Sequence, residues 1–324
     1  MSVAKGLEAL HKNLNEWLVA YGLGGYLVVI VPLVRYRSTA FNGPFYKICI
    51  NLAIYDLIGI ALKIVDPVMY HMTYPHFLWP RIFGYLTNAV WYAVEFSQLL
   101  IAVERFLAVW MPTSGEIRFF NDRLIKIYIG AIWFLTFGLN TVMFTDGFSW
   151  VHNNLTVYSY DFTKPQALLL NYYRDLLLQS VVYSVVVLLY ASAGIKLRCI
   201  HSQVESVNVT TNNNRRTELR LMIQGILVTA PQALGVLFYH MLIYVPSTPA
   251  YVLTLTYMCN YLYNTINPFI YLVFNSELRH KCMDYYFPRY KLVTKASKAT
   301  LPVAGVGTSK NTPSPNNSKR STAF

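Results

Sequence analysis

Asn267-Pro268-Phe269-Ile270-Tyr271 closes the last long apolar stretch of this chain, and Glu104-Arg105-Phe106 closes the third. Pro268 removes a backbone donor and loosens the helix that carries it. Asn267 can fill the acceptor so freed or reach Asp56, and Tyr271 offers a hydroxyl one turn on. A loosened helix with a polar side chain inside is either a two-state element or a static kink. Arg105 carries a guanidinium that needs acceptors wherever it is half buried. Adjacent Glu104 supplies one, Glu218 is a more distant candidate, and snorkelling to lipid phosphates is the other outlet. Asp56 lies midway along the second apolar stretch, where an exposed carboxylate is costly, so it must face the interior. Asn264 and Asn267 can face it there. Asp56, Lys63 and Asp66 follow on one helical stripe, and Asn88, Trp91, Glu95 and Gln98 share the face of Arg105. Lys63, Asp66, Asn88, Trp91, Tyr92 and Glu95 are therefore candidates to line a cavity that Arg174 and Asp175 close. Such a pocket suits a small polar or ionisable ligand. The alternative is a structural pair, Lys63–Glu95 or Lys63–Asp66.

The elements that hold these residues must be membrane helices. The chain has 324 residues, 55% hydrophobic and 13% charged, where a soluble domain carries about 25% charged residues. Crossing hydrocarbon takes about 20 apolar residues in a helix, and only helices and closed barrels satisfy their backbone there. The apolar runs here are long rather than short and alternating, which selects an all-α bundle. The spans read as Glu16–Val34, Phe45–Tyr70, Ile82–Trp110, Leu124–Phe144, Ala167–Leu197, Leu219–Val245 and Tyr251–Phe274. The domains follow: 1–15 an extracellular N-terminus, 16–274 a seven-helix transmembrane domain, 275–290 an amphipathic cytoplasmic helix, and 291–324 a disordered tail. Asn275-Ser276 caps the amphipathic helix. Leu278, Cys282, Tyr285 and Tyr286 would face lipid, with Cys282 a candidate for acylation. Asn212 to Arg216 reads as a polar hinge between the fifth and sixth helices.

The net charge of +12 does not point to nucleic acid, because of where it sits. Arg35, Arg37, Lys47, Arg118, Arg123, Lys126, Lys196, Arg198, Arg215, Arg216 and Arg220 fall in or beside alternate loops, and more basic residues follow from Arg279 to Arg320. The opposite side holds only Lys5, Lys12, Arg81 and Lys164. Positive-inside bias then puts the N-terminus outside and the tail in the cytoplasm, next to anionic lipid. On that topology Asn154, in Asn154-Leu155-Thr156, is a glycosylation acceptor. None of Cys49, Cys199, Cys259 and Cys282 lies in an external loop, so no disulfide is expected.

Together these motifs resemble the rhodopsin-like receptors, and within them the nematode serpentine chemoreceptors. Asn51-Leu52-Ala53-Ile54-Tyr55-Asp56 is similar to the family's second-helix motif and Glu104-Arg105-Phe106 to its third. Trp133 stands at the fourth-helix position, Pro231 at the sixth-helix kink, and Asn267-Pro268-Phe269-Ile270-Tyr271 at the seventh-helix motif. Glu-Arg-Phe, the turn Phe41-Asn42-Gly43-Pro44 and the missing external cysteines resemble the class x branch. The resemblance implies that Arg105 swings out to meet the C-terminal helix of a heterotrimeric G protein. It also implies a sodium or water pocket at Asp56, Asn264 and Asn267, or else a protonated, merely hydrogen-bonded Asp56. No other cofactor and no metal site is expected. Location follows the family: the plasma membrane, and in sensory cells the cilium. Three departures stand out. Gly24-Gly25-Tyr26 replaces the usual first-helix Gly-Asn, so Asp56 loses an expected partner. Thr229 replaces the aromatic switch before Pro231. Pro80 occupies the place of the third-helix cysteine.

The function expected is thus a G-protein-coupled receptor for a small chemical signal, with a peptide or amine receptor as the alternative. A seven-helix channel or transporter would also use intramembrane Asp, Glu and Lys, but no inverted repeat is visible. A membrane enzyme is not expected, since the histidines are scattered and no nucleophile motif stands out.

Overall fold

Ile54, Phe134, Leu188 and Val273 point outward, while Asn51, Asp56, Asn264 and Asn267 are buried. That distribution is the reverse of a water-soluble domain and fits a bundle whose outer face meets hydrocarbon. The computed structural model describes residues 2–39, 41, 43–71, 78–111, 119–145, 150–153, 157–160, 164–203, 209–245 and 250–288. The chain divides into two units, Met1–Cys282 and Met283–Phe324. The first holds the bundle.

Among the described residues, seven rods build it. They are α1 (Ser2–Arg35), α2 (Pro44–His71), α3 (Leu78–Trp110), α4 (Asp122–Asn140), a fifth rod of α5 (Pro165–Leu170) and α6 (Gln179–Gln203), α7 (Val209–Tyr244), and a seventh of α8 (Ala250–Thr265) and α9 (Asn267–Phe274). A short helix, α10 (Ser276–Tyr286), follows. Between α5 and α6 the rod widens into a π turn over Asn171–Leu178. Three stretches among the described residues are long and apolar enough to cross a membrane by themselves: Pro44–Val65, Pro165–Cys199 and Leu219–Tyr244. Central α3 touches α2, α4, α6 and α7, which is why its polar face meets all of them.

Side-chain hydrogen bonds fix the register of the rods. Trp133 Nε1 donates to Asn51 Oδ1 over 3.0 Å, and its ring lies 4.6 Å from that of Tyr55, joining α4 to α2. Asn121 caps α4 by accepting from the Leu124 amide at 2.9 Å. Lys47 of α2 pairs with Asp122 in the first turn of α4, and this ion pair holds the Asp122 carboxyl below its usual range. Asn275 caps α10 by accepting from the Leu278 amide at 3.0 Å, as its position predicts.

Two expectations need correction, and two features add to the rest. Helix α1 begins at Ser2, so the polar stretch ahead of the span at Glu16 is helical as well. Asn212 to Arg216 lie within α7 and form no hinge. The loop after α4 contains a hairpin, β1 (Trp150–Asn153) antiparallel to β2 (Val157–Tyr160), with Trp150 opposite Tyr160. Finally, Leu278 and Cys282 turn inward: Cys282 Sγ lies 3.6 Å from the Val28 carbonyl of α1. Burial pushes that thiol up to about 11, which leaves it neutral and weakly nucleophilic. Asn154 lies outside the described residues.

Close approach of α2 to α8 depends on Gly59. A Cβ there would collide with the side-chain amide of Asn264, whereas a Cβ at Gly24 would meet nothing within 4 Å. Gly59→Ala is expected to destabilise the protein by about 1–3 kcal/mol through overpacking. Gly24→Ala should be neutral or stabilise by about 0.4–1 kcal/mol. Thermal unfolding of the two purified variants checks the contrast, and equal midpoints would refute the packing role of Gly59.

Candidate functional site

Charged and amide side chains gather at three levels of the bundle. The first surrounds Asp56, which has no exposed surface. Tyr26 of α1 donates its hydroxyl to Asp56 Oδ2, and Asn267 Nδ2 donates to the same oxygen at 2.7 Å. Asn264 completes the set. In the amide orientation that satisfies both neighbours, it donates to Asp56 Oδ1 over 3.2 Å and accepts from Lys63 Nζ over 3.1 Å. Lys63 also donates to the Asn260 carbonyl and lies 4.6 Å from the Tyr263 ring. The expected loss of a first-helix partner is thus made good one residue later, by Tyr26. Sequence reading missed it because a tyrosine hydroxyl reaches farther than the amide it replaces.

The hinge in the seventh rod is part of this level. The helix breaks at Ile266, between α8 and α9. Asn267 Nδ2 fills an acceptor at the break, bonding the Tyr263 carbonyl at 3.1 Å. Pro268 and Tyr271 are buried behind it.

The second level lies at the basic end of the bundle. Arg105 donates through Nε and a terminal nitrogen to both oxygens of Glu104. Both residues are buried, and the guanidinium stacks 4.8 Å from the Phe45 ring. Such a fork-to-carboxylate pair is geometrically specific. Phe106 points away and packs 5.8 Å from Trp110. Between Arg105 and the hinge lies a cavity of about 10 Å³, lined among others by Cys49, Tyr190, Gln224 and Tyr271. That is room for about one water. The hydroxyls of Tyr190 and Tyr271 and Oε1 of Gln224 have no hydrogen-bond partner among the described residues.

The third level lies at the opposite end, where the wide turn of the fifth rod faces α3. Asp175 accepts from the Tyr92 hydroxyl, from Arg174 Nε at 2.9 Å and from Asn171 Nδ2 at 3.3 Å. Arg174 reaches Asn140 of α4 at 3.1 Å and covers the Tyr92 ring at 5.0 Å. Tyr244 of α7 donates to Asn171 Oδ1 at 2.8 Å. Gln179, with its amide oriented to satisfy both neighbours, donates to the Asp175 carbonyl at 2.9 Å and accepts from Trp91 Nε1 at 2.8 Å. Gln232, beside Pro231, donates to the Trp91 carbonyl at 3.1 Å. π turns of this kind recur at functional sites because the extra residue re-aims its neighbours. Here it aims Asn171 and Asp175 inward together.

Not all candidates meet. Glu95 is 1% exposed, and neither of its oxygens has a hydrogen-bond partner among the described residues. The expected Lys63–Glu95 pair is therefore absent, because Lys63 turns to the seventh rod. Asn88 is buried with its amide nitrogen unpartnered among the described residues. The side chains of Asp66 and Glu218 lie outside the described residues. Sequence reading missed Asn171, Gln179, Gln232 and Tyr244. Only their polarity within apolar stretches hinted at them, since their partners sit on other rods.

This architecture has known relatives. A family model described as serpentine type 7TM GPCR chemoreceptor Srx matches residues 20–275. No curated protein matches the chain. The crystal structure of squid rhodopsin superposes with a TM-score of 0.66 over 91% of this chain and 92% of that one, at 14% identity, a likeness of fold alone. The family match runs from the first rod to the cap of α10 and takes in all three levels. The chain is a member of the Srx family of serpentine seven-transmembrane G-protein-coupled chemoreceptors.

Proposed function

We propose that this receptor lies in the plasma membrane with its N-terminus outside, binds a small polar molecule near the Asp175 network, and activates a heterotrimeric G protein at its basic end. In sensory cells the cilium is the expected site. Charge supports the orientation: the ends of the rods around Arg35, Lys47, Arg123 and Lys196 are basic, and positive ends stay inside.

One observation carries the coupling role. Arg105 is held by its own neighbour, Glu104, and by the face of Phe45. A cation held by a local partner can be handed to an incoming one at modest cost, which suits a switch. The Asn267-Pro268 break lies on the neighbouring rod, so movement there loosens what surrounds Arg105. For the ligand, Trp91, Tyr92, Arg174 and Asp175 supply aromatic faces and both charges, with buried Glu95 one turn deeper on α3. Mixed aromatic and charged walls suit a small ionisable molecule.

Nucleotide exchange by a purified heterotrimer tests the reading. Arg105→Ala is expected to abolish ligand-driven exchange while surface expression stays normal. Glu104→Gln should raise basal exchange roughly tenfold, the effect of about 1.4 kcal/mol on a two-state balance. Full signalling by the Arg105 variant would overturn the assignment. So would ionic current through the purified protein without exchange on any heterotrimer, which favours a channel. On the ligand side, Asp175→Asn and Glu95→Gln should each weaken the potency of an agonist about tenfold, the loss of one charged contact of about 1.4 kcal/mol. Unchanged dose–response curves in both would remove the third level from the binding site.

A further inference from the structure

The resemblance at Asp56 implies a sodium or water pocket, and the residues around Asp56 do not fit the ion. A hard cation is held by a shell of oxygens that turn lone pairs toward it. Here the neighbours turn hydrogens toward the acid. Tyr26 and Asn267 both donate to Oδ2, and Asn264 donates to Oδ1. A carboxylate has about four lone-pair sites, so three are already taken. Asn267 Oδ1 is an acceptor left without a partner among the described residues, and one oxygen makes no shell.

A positive group is nevertheless at hand. Lys63 stands two turns beyond Asp56 on the same face of α2. Its ammonium donates to Asn264 Oδ1 at 3.1 Å and to the Asn260 carbonyl, and lies 4.6 Å from the Tyr263 ring and 4.9 Å from that of Tyr261. Two carbonyl-type oxygens and an aromatic face are the environment an ammonium needs inside a membrane. Asn264 bridges the two charges, its nitrogen toward the acid and its oxygen toward the base. Gly59, between them on α2, leaves the space that the amide fills. Every part of the relay is therefore set in place by a specific residue.

We propose that Lys63 is the resident counter-cation of Asp56, relayed through Asn264, so that this receptor binds no sodium at its central acid. Burying one uncompensated charge in a bundle is strongly unfavourable, whereas a pair bridged by hydrogen bonds is tolerated. Sodium would have to displace donors and then sit beside an ammonium. The resting balance of the receptor consequently does not follow the sodium content of the medium.

The test needs neither ligand nor G protein. Full-length receptor in nanodiscs is unfolded thermally in sodium chloride, potassium chloride and choline chloride at equal ionic strength. The wild type should show the same midpoint in all three. Lys63→Met should be less stable in choline and regain several degrees in sodium, as the freed Asp56 takes an external ion. The double variant Asp56→Asn/Lys63→Met should lose that sodium response. Tyr26→Phe, which frees one lone pair but keeps the ammonium, should stay insensitive. If Lys63→Met yields no folded protein, the double variant, with both charges removed, is expected to recover the fold. Sodium-specific stabilisation of the wild type or of Tyr26→Phe overturns the proposal. So does a Lys63→Met variant as stable as wild type in every salt, or a double variant that fails to fold.

Discussion

Hydrocarbon offers no hydrogen bonds, so a polar group inside the bundle is satisfied only by a partner within the protein, and the best-satisfied ones find it on other rods. This single constraint orders the structure. Asp56 has no exposed surface and takes donors from α1, α8 and α9. A carboxylate so placed ties three helices to α2 more specifically than apolar contact does, because each donor has one direction and one distance. The same logic holds at the far end, where Asp175 gathers α3 and its own rod directly, α4 through Arg174, and α7 through Asn171. Apolar packing supplies the bulk of the contact, and the polar hubs choose which packing is allowed.

Trp91 stands between the two hubs. Its indole nitrogen bonds Gln179 of the fifth rod, its carbonyl accepts from Gln232 of α7, and its ring meets Tyr263 of α8 edge-on at 4.8 Å. Tyr263 in turn faces Lys63 and offers its carbonyl to Asn267. A displacement of the fifth rod or of α7 at the third level therefore reaches the hinge through side chains already in contact. The route ends on a helix broken at Ile266, whose freed acceptor is held by a side chain instead of a backbone amide.

Much of this could be read along the chain, and what could not shares one cause. Spans, helix-breaking Pro268, the Glu104–Arg105 neighbours and the Asn275 cap are local, so spacing reveals them. Lys63 shows the limit. Its place on the Asp56 stripe is legible, because helical periodicity fixes it. That it bonds Asn260 and Asn264 and leaves Glu95 alone depends on how α8 lies across α2, and that in turn depends on a missing Cβ at Gly59. Tyr26 was hidden in the same way, one residue beyond the position where an amide is expected. The inward turn of Cys282 was hidden too, since a short helix with apolar residues on one face can lay that face on lipid or on α1, and sequence alone does not choose. Helicity of the polar N-terminal stretch went unread for a different reason: hydropathy marks where a helix meets lipid and not where its backbone ends.

The three levels also differ in how tightly their charges are held, and the difference has a direction. At the centre, Asp56 has both oxygens bonded and its amide relay filled. At the basic end, Arg105 forks onto the carboxylate of the residue beside it and stacks on the Phe45 ring of α2. A cavity with room for about one water separates it from the hinge, and Tyr190 and Tyr271 turn unpartnered hydroxyls among the described residues toward that level. Unsatisfied buried hydroxyls raise the free energy of the state that contains them. An arrangement that brings them together, or lets water in, lowers it. The centre is thus more fully hydrogen-bonded than the level beside Arg105, where buried hydroxyls are left to be satisfied among the described residues.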